Sequence, residues 1–318
     1  MSGKPRVFLI GVDGATYNVL EPLFQQGRLP NIQAFMKRGC SGGLMSTIPP
    51  LSPVAWTTIT TGVHPGRHGI LDFMGFNKQA REPVFFDTTR RRVRPIWSVL
   101  SERGMRVCVM NVPMSYPVDA VNGFMVSGMG TPPTRQHFVH PRAMFDEMER
   151  SIGTYHVEVN VPGGGLPNYR LLLNSMRRTM ASRRRAIQYL LNRERWDFFM
   201  AVFTTTDRAQ HFFWNFYDPS HPGHDPKKAR EFGSVIPDFY GEVDAGIGEI
   251  LKHTTPDDYV MIVSDHGFGP LHKRFSLSKW LVKEGYLVLH EAAKRKTGGQ
   301  ILRAIKLMIP PDVKYWLA

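Results

Sequence analysis

Continuous apolar runs, each bounded by turn residues, alternate along the chain with stretches of helical periodicity. The apolar runs cover residues 7–12, 107–112, 124–126, 198–203 and 259–263, and the helical stretches include 31–37, 96–103, 182–193 and 237–252. An unbroken apolar run is typical of a strand buried on both faces, so these runs predict a parallel sheet. Their alternation with helices predicts an α/β fold, a three-layer sandwich with a mostly parallel central sheet.

Two stretches, residues 76–94 and 130–174, interrupt this alternation. The first is polar and ends in the arginine-rich run 90–94, and the second is rich in glycine and proline. Both are predicted to leave the sheet as cap-like insertions that cover an active site. We therefore expect a catalytic core over residues 1–281 and a basic helical tail over residues 282–318. This tail would contact a membrane surface, pack on the core or be part of a truncated cap or C-terminal region.

Composition narrows the class of protein. The 318 residues are 42% hydrophobic and 21% charged, which is the usage of a globular protein rather than a disordered one. Lys and Arg number 40 against 27 Asp and Glu, a net charge of +13, which favours an anionic partner such as a phosphorylated substrate, nucleic acid or a membrane surface. Two cysteines, Cys40 and Cys108, exclude a disulfide framework.

The apolar stretches are too short for a signal sequence or a membrane span, so we expect a soluble, cytoplasmic protein.

Aspartates stand at or shortly after the ends of three apolar runs, at Asp13, Asp207 and Asp265. Ligands of open α/β sheets bind beyond the carboxyl ends of the strands, so these carboxylates are expected to converge if their strands are parallel neighbours. Converging carboxylates repel one another, and a bound positive charge is needed to hold them together.

Two histidines accompany these aspartates. His211 lies four residues after Asp207, on the same face of a helix, and His266 directly follows Asp265. Singly, a strand-end aspartate is commonly a helix N-cap and a histidine commonly a packing residue. Together, at three strand ends, they predict a metal site with oxygen and nitrogen ligands, which suits Zn²⁺ first and Mn²⁺ or Fe next.

A candidate nucleophile lies between the first two strands. Ser52 precedes Pro53, and proline favours the first helical position, so Ser52 is predicted to be an N-cap beside an anion site. The commoner role of such a serine is that of a cap alone, but a metal that lowered its pKa would make it a nucleophile for a phosphoryl group. Thr57 and Thr58 are weaker candidates because they fall within the helix. Residues 64–69 either bind an anion or shape a turn, and the turn is favoured.

These segments together resemble the alkaline phosphatase superfamily, in particular its type I phosphodiesterase/nucleotide pyrophosphatase-like branch. The matching segments are residues 11–14, 52–70, 124–129, 207–211 and 264–268. Their order and separation are similar to those of the family over most of residues 7–270.

The resemblance implies a two-metal hydrolase with an alkaline phosphatase-like fold, whose substrate is a phosphorylated small molecule or a nucleotide-like compound. The ligands of one metal would be Asp13, Ser52, Asp265 and His266, and those of the other would be Asp207, His211 and a third histidine. The family places that third histidine well downstream, and neither His272 nor His290 has the expected context. The resemblance also implies that Ser52 forms a covalent phospho- or nucleotidyl-enzyme, with the backbone N–H groups after Ser52 holding the phosphoryl oxygens.

Other functions stay open at this point. A phosphomonoesterase or a phosphoglycerate-mutase-like enzyme would use the same residues. A sulfatase is disfavoured because Ser52-Pro53 does not fit the Cys/Ser-x-Pro-x-Arg spacing. A member without a third histidine could bind an anion without turnover. Nucleic-acid binding is suggested by the charge and by residues 90–94, but no nucleic-acid motif accompanies them.

Overall fold

The computed structural model describes residues 4–77, 82–134, 136–160, 168–273 and 275–288. Its strands are β1 (Val7–Val12), β2 (Met74–Asn77), β3 (Glu82–Phe85), β4 (Val107–Val112), β5 (Gly123–Ser127), β6 (Val139–His140), β7 (Phe198–Phe203) and β8 (Tyr259–Val263). All five apolar runs of the sequence form strands of the central sheet, as predicted.

The helices lie between the strands and frame the sheet. They are α1 (Tyr17–Gln25), α2 (Pro30–Met36), α3 (Ser52–Thr61), α4 (Pro65–His68), α5 (Ile96–Glu102), α6 (Arg142–Ile152), α7 (Tyr169–Arg193), α8 (Thr205–Tyr217), α9 (Pro226–Phe232), α10 (Val235–Leu251) and α11 (Leu277–Lys283). None of these helices in the described part of the chain is both long and apolar enough to cross a membrane.

The central sheet has six strands in the order β6-β5-β4-β7-β1-β8. All neighbours run parallel except β6, which is antiparallel to β5 at one edge. Strands β2 and β3 form a separate antiparallel pair; β3 lies within the first predicted insertion, and β2 begins two residues before it. The mostly parallel sheet is therefore confirmed.

Alternate side chains of each central strand enter two different cores. From β7, Phe199 and Ala201 pack with α1, α2, α6, α7, α8 and α10 on one face of the sheet. Met200 and Val202 pack on the opposite face against Trp56 of α3 and Trp97 of α5. Because β7 is covered on both faces, its sequence is a continuous apolar run, and the molecule has the three predicted layers.

The two predicted insertions contain more regular structure than the sequence suggested. The segment 130–174 holds β6, α6 and the first turn of α7. Phe145 and Met148 of α6 are buried in the larger core, so this part of the segment packs as a layer of the sandwich. Residues 78–81 and 161–167, and residues 289–318 of the predicted tail, lie outside the described residues.

The register of the sheet determines where the functional residues meet. Strand β1 lies between β7 and β8, with Val12 opposite Phe203 and Gly11 opposite both Val202 and Val263. Because these three parallel strands end at the same level, the residues that follow them lie together at one edge of the sheet. That edge is the one at which open α/β sheets bind ligands.

Candidate active site

The three strand-end carboxylates lie together at this edge, as their positions in the sequence predicted. Asp13, Asp207 and Asp265 are 0%, 0% and 3% exposed. Asp13, Asp207 and His266 each offer a ligand atom, and these atoms all lie within 4.8 Å of one another. Asp265 adjoins the group because its Oδ2 lies 3.3 Å from His266 Nε2. The edge of the sheet thus holds three buried carboxylates around one imidazole.

Ser52 lies against the same group. Its Oγ is 3.1 Å from His266 Nε2 and 3.4 Å from Asp13 Oδ1, and the residue is 1% exposed. Ser52 is the first residue of α3 and Leu51 is its N-cap, so the predicted N-cap position of Ser52 was wrong by one residue. The first turn of α3 therefore delivers a hydroxyl to the carboxylate cluster.

A hydrogen bond to the main chain fixes the orientation of the His266 ring. Its Nδ1 donates to the Gly267 carbonyl oxygen at 2.8 Å, since a carbonyl oxygen only accepts. Its Nε2 then faces Ser52 Oγ, Asp265 Oδ2 and Asp13 Oδ1, the last at 3.7 Å. An imidazole fixed in this way is oriented as a metal-binding histidine is.

His211 lies beside Asp207 on the next helical turn of α8. Its Nε2 is 3.3 Å from Asp207 Oδ1, as the four-residue spacing predicted. Phe268 packs edge-on to the His211 ring at 4.8 Å and stacks on Trp214 at 5.5 Å. The loop after β8 thus contacts the helix that carries the second pair of candidate ligands.

Supporting hydrogen bonds that the sequence did not reveal hold the strand ends in place. Thr206 Oγ1 donates to the Asp13 carbonyl at 2.7 Å, and Gln210 Nε2 donates to the Gly14 carbonyl at 2.8 Å. Ser46 Oγ donates to the Asp265 carbonyl at 2.5 Å. Thr206 and Gln210 are four residues apart on α8, so helical spacing was a usable signal for this pair.

Burial and the mutual repulsion of the carboxylates shift the pKa values of the cluster. Burial, together with the charges of Asp265 and Asp207, holds the pKa of Asp13 well above its ordinary value. Burial raises the pKa of Asp265 to about 6. Burial also acts to raise the pKa of Asp207, but His211, His266 and Arg208 together outweigh it and the pKa is lowered.

The donor set fits a divalent cation. Both oxygens of Asp207 and Oδ2 of Asp265 are buried and accept no hydrogen bond of regular geometry from the described residues. Because buried polar atoms are normally paired, these buried carboxylate oxygens are suited to bind a cation. Carboxylate oxygens with an imidazole nitrogen suit Zn²⁺, Mn²⁺ or Fe.

The sequence model of the type I phosphodiesterase / nucleotide pyrophosphatase family matches residues 7–312. The chain belongs to this family. A search of curated proteins finds no match to it.

Solved structures share the fold of this phosphodiesterase-family chain. Phosphonoacetate hydrolase from Sinorhizobium meliloti 1021, in complex with phosphonoacetate, matches with a TM-score of 0.61 and 16% identity over 89% of this chain and 62% of that one. BT1596, a 2-O GAG sulfatase, matches with a TM-score of 0.53 and 14% identity over 86% of this chain and 62% of that one. The chain thus spans 62% of the length of these relatives. The likeness confirms the alkaline phosphatase-like architecture.

Two histidines follow His266 in this phosphodiesterase-family chain, His272 and His290. The ring of His272 stacks beside His221, with centroids 6.3 Å apart, and His272 is not in the group of ligand atoms around Asp13 and Asp207. His290 lies outside the described residues. Among the described residues, neither histidine therefore supplies the third histidine ligand that the resemblance implies.

One prediction about α3 was wrong. Pro53 has no N–H, and the N–H groups of Val54 and Ala55 both donate to the Leu51 carbonyl, at 3.0 and 2.9 Å. They are therefore not free to hold phosphoryl oxygens, because both are already used in hydrogen bonds within the first turn of the helix.

The weaker candidates have structural roles. Thr57 Oγ1 donates to the Pro53 carbonyl, and Thr58 Oγ1 donates to the Val54 carbonyl and lies 3.0 Å from His68 Nε2. Residues 65–68 form the short helix α4, capped by the His64 side chain, which is consistent with the favoured interpretation of that segment as a turn.

Proposed function

We propose that this chain carries the catalytic site of a metal-dependent phosphodiesterase in which Ser52 forms a covalent intermediate with the substrate phosphorus. One observation carries the proposal: Ser52 Oγ lies 3.1 Å from His266 Nε2 and 3.4 Å from Asp13 Oδ1, within the carboxylate cluster. Membership of the family supports phosphorus esters as the class of substrate.

The residues present divide into two sets of ligands. Asp13, Asp265 and His266, with Ser52, would hold one cation, and Asp207 with His211 would hold the other. Bound cations would neutralise the carboxylates, lower the pKa of the Ser52 hydroxyl and stabilise negative charge on the phosphoryl oxygens. Zn²⁺ is the first choice for these donors, and Mn²⁺ or Fe are the alternatives.

The proposed reaction has two displacements at phosphorus. In the first, Ser52 Oγ attacks, the Oγ–P bond forms, the bond from phosphorus to the leaving oxygen breaks, and the leaving oxygen takes up a proton equivalent to that lost by Ser52. In the second, a water oxygen attacks the phosphoserine, the Oγ–P bond breaks and Ser52 is protonated again.

A substrate panel tests this function. The purified chain is treated with chelator, reloaded with Zn²⁺ or Mn²⁺, and assayed on bis-p-nitrophenyl phosphate, p-nitrophenyl phosphate, p-nitrophenyl sulfate and phosphonoacetate. We expect the diester to be hydrolysed fastest, and the activity to disappear in chelator and return with the cation. Faster turnover of the monoester would instead indicate a phosphomonoesterase of the same superfamily. Cation binding with no hydrolysis of any of the four would indicate an anion-binding protein.

Metal stoichiometry tests the division of ligands. Replacing His211 by alanine is expected to remove one bound cation per chain while leaving the Asp13 side of the cluster loaded, because Asp207 loses its neighbouring nitrogen. The measurement is metal content after gel filtration. His253→Ala is the matched control, since His253 follows α10 and its carbonyl accepts from Arg6, ahead of β1 at the opposite edge of the sheet. Equal metal contents in the two variants would contradict the assignment of His211.

A further inference from the structure

A second side chain of α3 reaches the site beside Ser52. Trp56 lies one helical turn after Ser52 and is fully buried. Its Nε1–H donates to Asp13 Oδ2 at 2.9 Å. The helix that carries the hydroxyl therefore also binds the carboxylate that the hydroxyl faces.

This hydrogen bond makes the two oxygens of Asp13 unequal. Oδ2 is occupied by the indole N–H, whereas Oδ1 faces the interior of the cluster, 3.4 Å from Ser52 Oγ and 3.7 Å from His266 Nε2. The backbone of Asp13 is also held, since its N–H donates to the Phe203 carbonyl and its own carbonyl accepts from Thr206. The side chain then has one oxygen directed into the carboxylate cluster and one held by the indole N–H.

Gly11 makes room for the indole. A Cβ placed on Gly11 would lie 2.3 Å from Trp56 Cη2 and 2.9 Å from Val202 Cγ2. Because real Cβ atoms do not approach so closely, any side chain at position 11 would displace Trp56. The glycine in the first strand and the tryptophan in α3 therefore form one packing unit beneath Asp13.

We propose that Trp56, seated on Gly11, is a positioning residue that directs Asp13 Oδ1 at the cation and fixes the distance between that ligand and Ser52. The inference rests on the proposed function, because a cation must be bound for the position of Oδ1 to matter. Groups that orient a metal ligand typically change metal affinity by roughly 10–100-fold when they are removed.

The chain contains a matched control for this role. Trp97 of α5 belongs to the same hydrophobic cluster as Trp56 and is 1% exposed. Its Nε1–H also donates to an aspartate, Asp119 Oδ2, at 2.8 Å. Asp119 is not a member of the carboxylate cluster. Trp56→Phe and Trp97→Phe thus each replace a buried indole by a smaller ring and remove its N–H donor. Only the Trp56 indole contacts a proposed metal ligand.

The test is a calorimetric titration of each chelator-treated protein with Zn²⁺ and with Mn²⁺. We expect Trp56→Phe to bind the tightest ion about 10-fold or more weakly than the parent, and Trp97→Phe to bind it like the parent. Thermal unfolding should show a similar loss of stability in both variants. Diester hydrolysis by Trp56→Phe should recover towards the parent rate as the cation concentration is raised, which a general loss of folding would not produce.

Gly11→Ala provides a second variant that retains the indole. We expect it to weaken cation binding in the same direction as Trp56→Phe, because the added methyl displaces the ring from Asp13. In the parent labelled with ¹⁵N-tryptophan, the indole N–H resonance of Trp56 should exchange slowly with solvent and shift when the cation is added, whereas that of Trp97 should not shift.

The outcomes separate the positioning role from the function itself. If Trp56→Phe binds the cation as tightly as Trp97→Phe, or if the Trp56 indole resonance is unmoved by the cation, the positioning role is overturned and the phosphodiesterase proposal stands. If the parent binds neither Zn²⁺ nor Mn²⁺, the proposed function fails and the positioning role fails with it.

Discussion

Replacement of Ser52 by alanine is expected to lower the rate of diester hydrolysis by about 10³-fold or more, while the protein still folds and binds cations. The reason is that Ser52 Oγ lies 3.1 Å from His266 Nε2 and 3.4 Å from Asp13 Oδ1, within the carboxylate cluster. The carboxylates and the imidazole remain after the substitution. The measurements are turnover of bis-p-nitrophenyl phosphate at saturating cation and a calorimetric titration of the same sample.

Two further variants control this prediction. Ser182→Ala removes a hydroxyl that is equally buried, in α7, where it donates to the Thr179 carbonyl and accepts from His156; it should leave turnover unchanged. Ser52→Thr keeps a hydroxyl at position 52 and should retain part of the activity. Turnover of Ser52→Ala at the parent rate would rule out the nucleophilic role.

The covalent intermediate itself is open to detection. When the reaction is quenched in acid during turnover, the peptide that contains Ser52 should carry the phosphoryl group of the substrate in a mass spectrum, because a serine phosphoester survives acid quenching. The same peptide from Ser52→Ala should be unmodified. A modified peptide elsewhere in the chain, with none at Ser52, would transfer the role of nucleophile to another residue.

The sequence predicted the parts of the fold that depend on local composition. Strands buried on both faces, such as β4 and β7, are continuous apolar runs because both sides contact helices, so their pattern is distinct from that of a helix or a loop. Strand order is decided by contacts between distant segments, and the position of β1 between β7 and β8 became known only from the structure. The short strands β2, β3 and β6 have too few residues to show a period.

The convergence of Asp13, Asp207 and Asp265 was predictable because one rule about parallel sheets applies to all three. Trp56 was missed, although its four-residue spacing from Ser52 placed both on one helical face. Its partner, Asp13, is 43 residues away, and no local pattern relates the two. The sequence showed Gly11 only as part of a segment that resembles the family. The contact that requires a glycine there is made by Trp56 of α3, which is distant in sequence.

Replacement of Asp13 by asparagine is expected to have opposite effects with and without cations. In chelator, the variant should unfold at a temperature roughly 2–6 °C above that of the parent. Burial and the charges of Asp265 and Asp207 hold the pKa of Asp13 well above its ordinary value, which shows that the ionised carboxylate is unfavourable in the folded protein. Asparagine removes the charge and still offers an oxygen to the Trp56 N–H.

With cation the order should reverse. A ligand at about 100 times its dissociation constant stabilises a folded protein by roughly 2.7 kcal/mol for each site it fills. The parent should gain this from both proposed cations, whereas Asp13→Asn, which lacks an anionic ligand of one of them, should gain it only from the cation held by Asp207 and His211. Asp244→Asn is the matched control, since Asp244 is also buried but its carboxylate accepts from Asn31 and Ile32 in α2. That variant should be destabilised in chelator and should keep the full response to the cation. The same residue type would then destabilise the fold at position 13 and stabilise it at position 244, because the Asp13 carboxylate is buried beside two other carboxylates whereas that of Asp244 accepts three N–H hydrogen bonds. If Asp13→Asn is less stable than the parent in chelator, the ionised Asp13 carboxylate does not destabilise the folded protein, and the proposed repulsion within the cluster is contradicted.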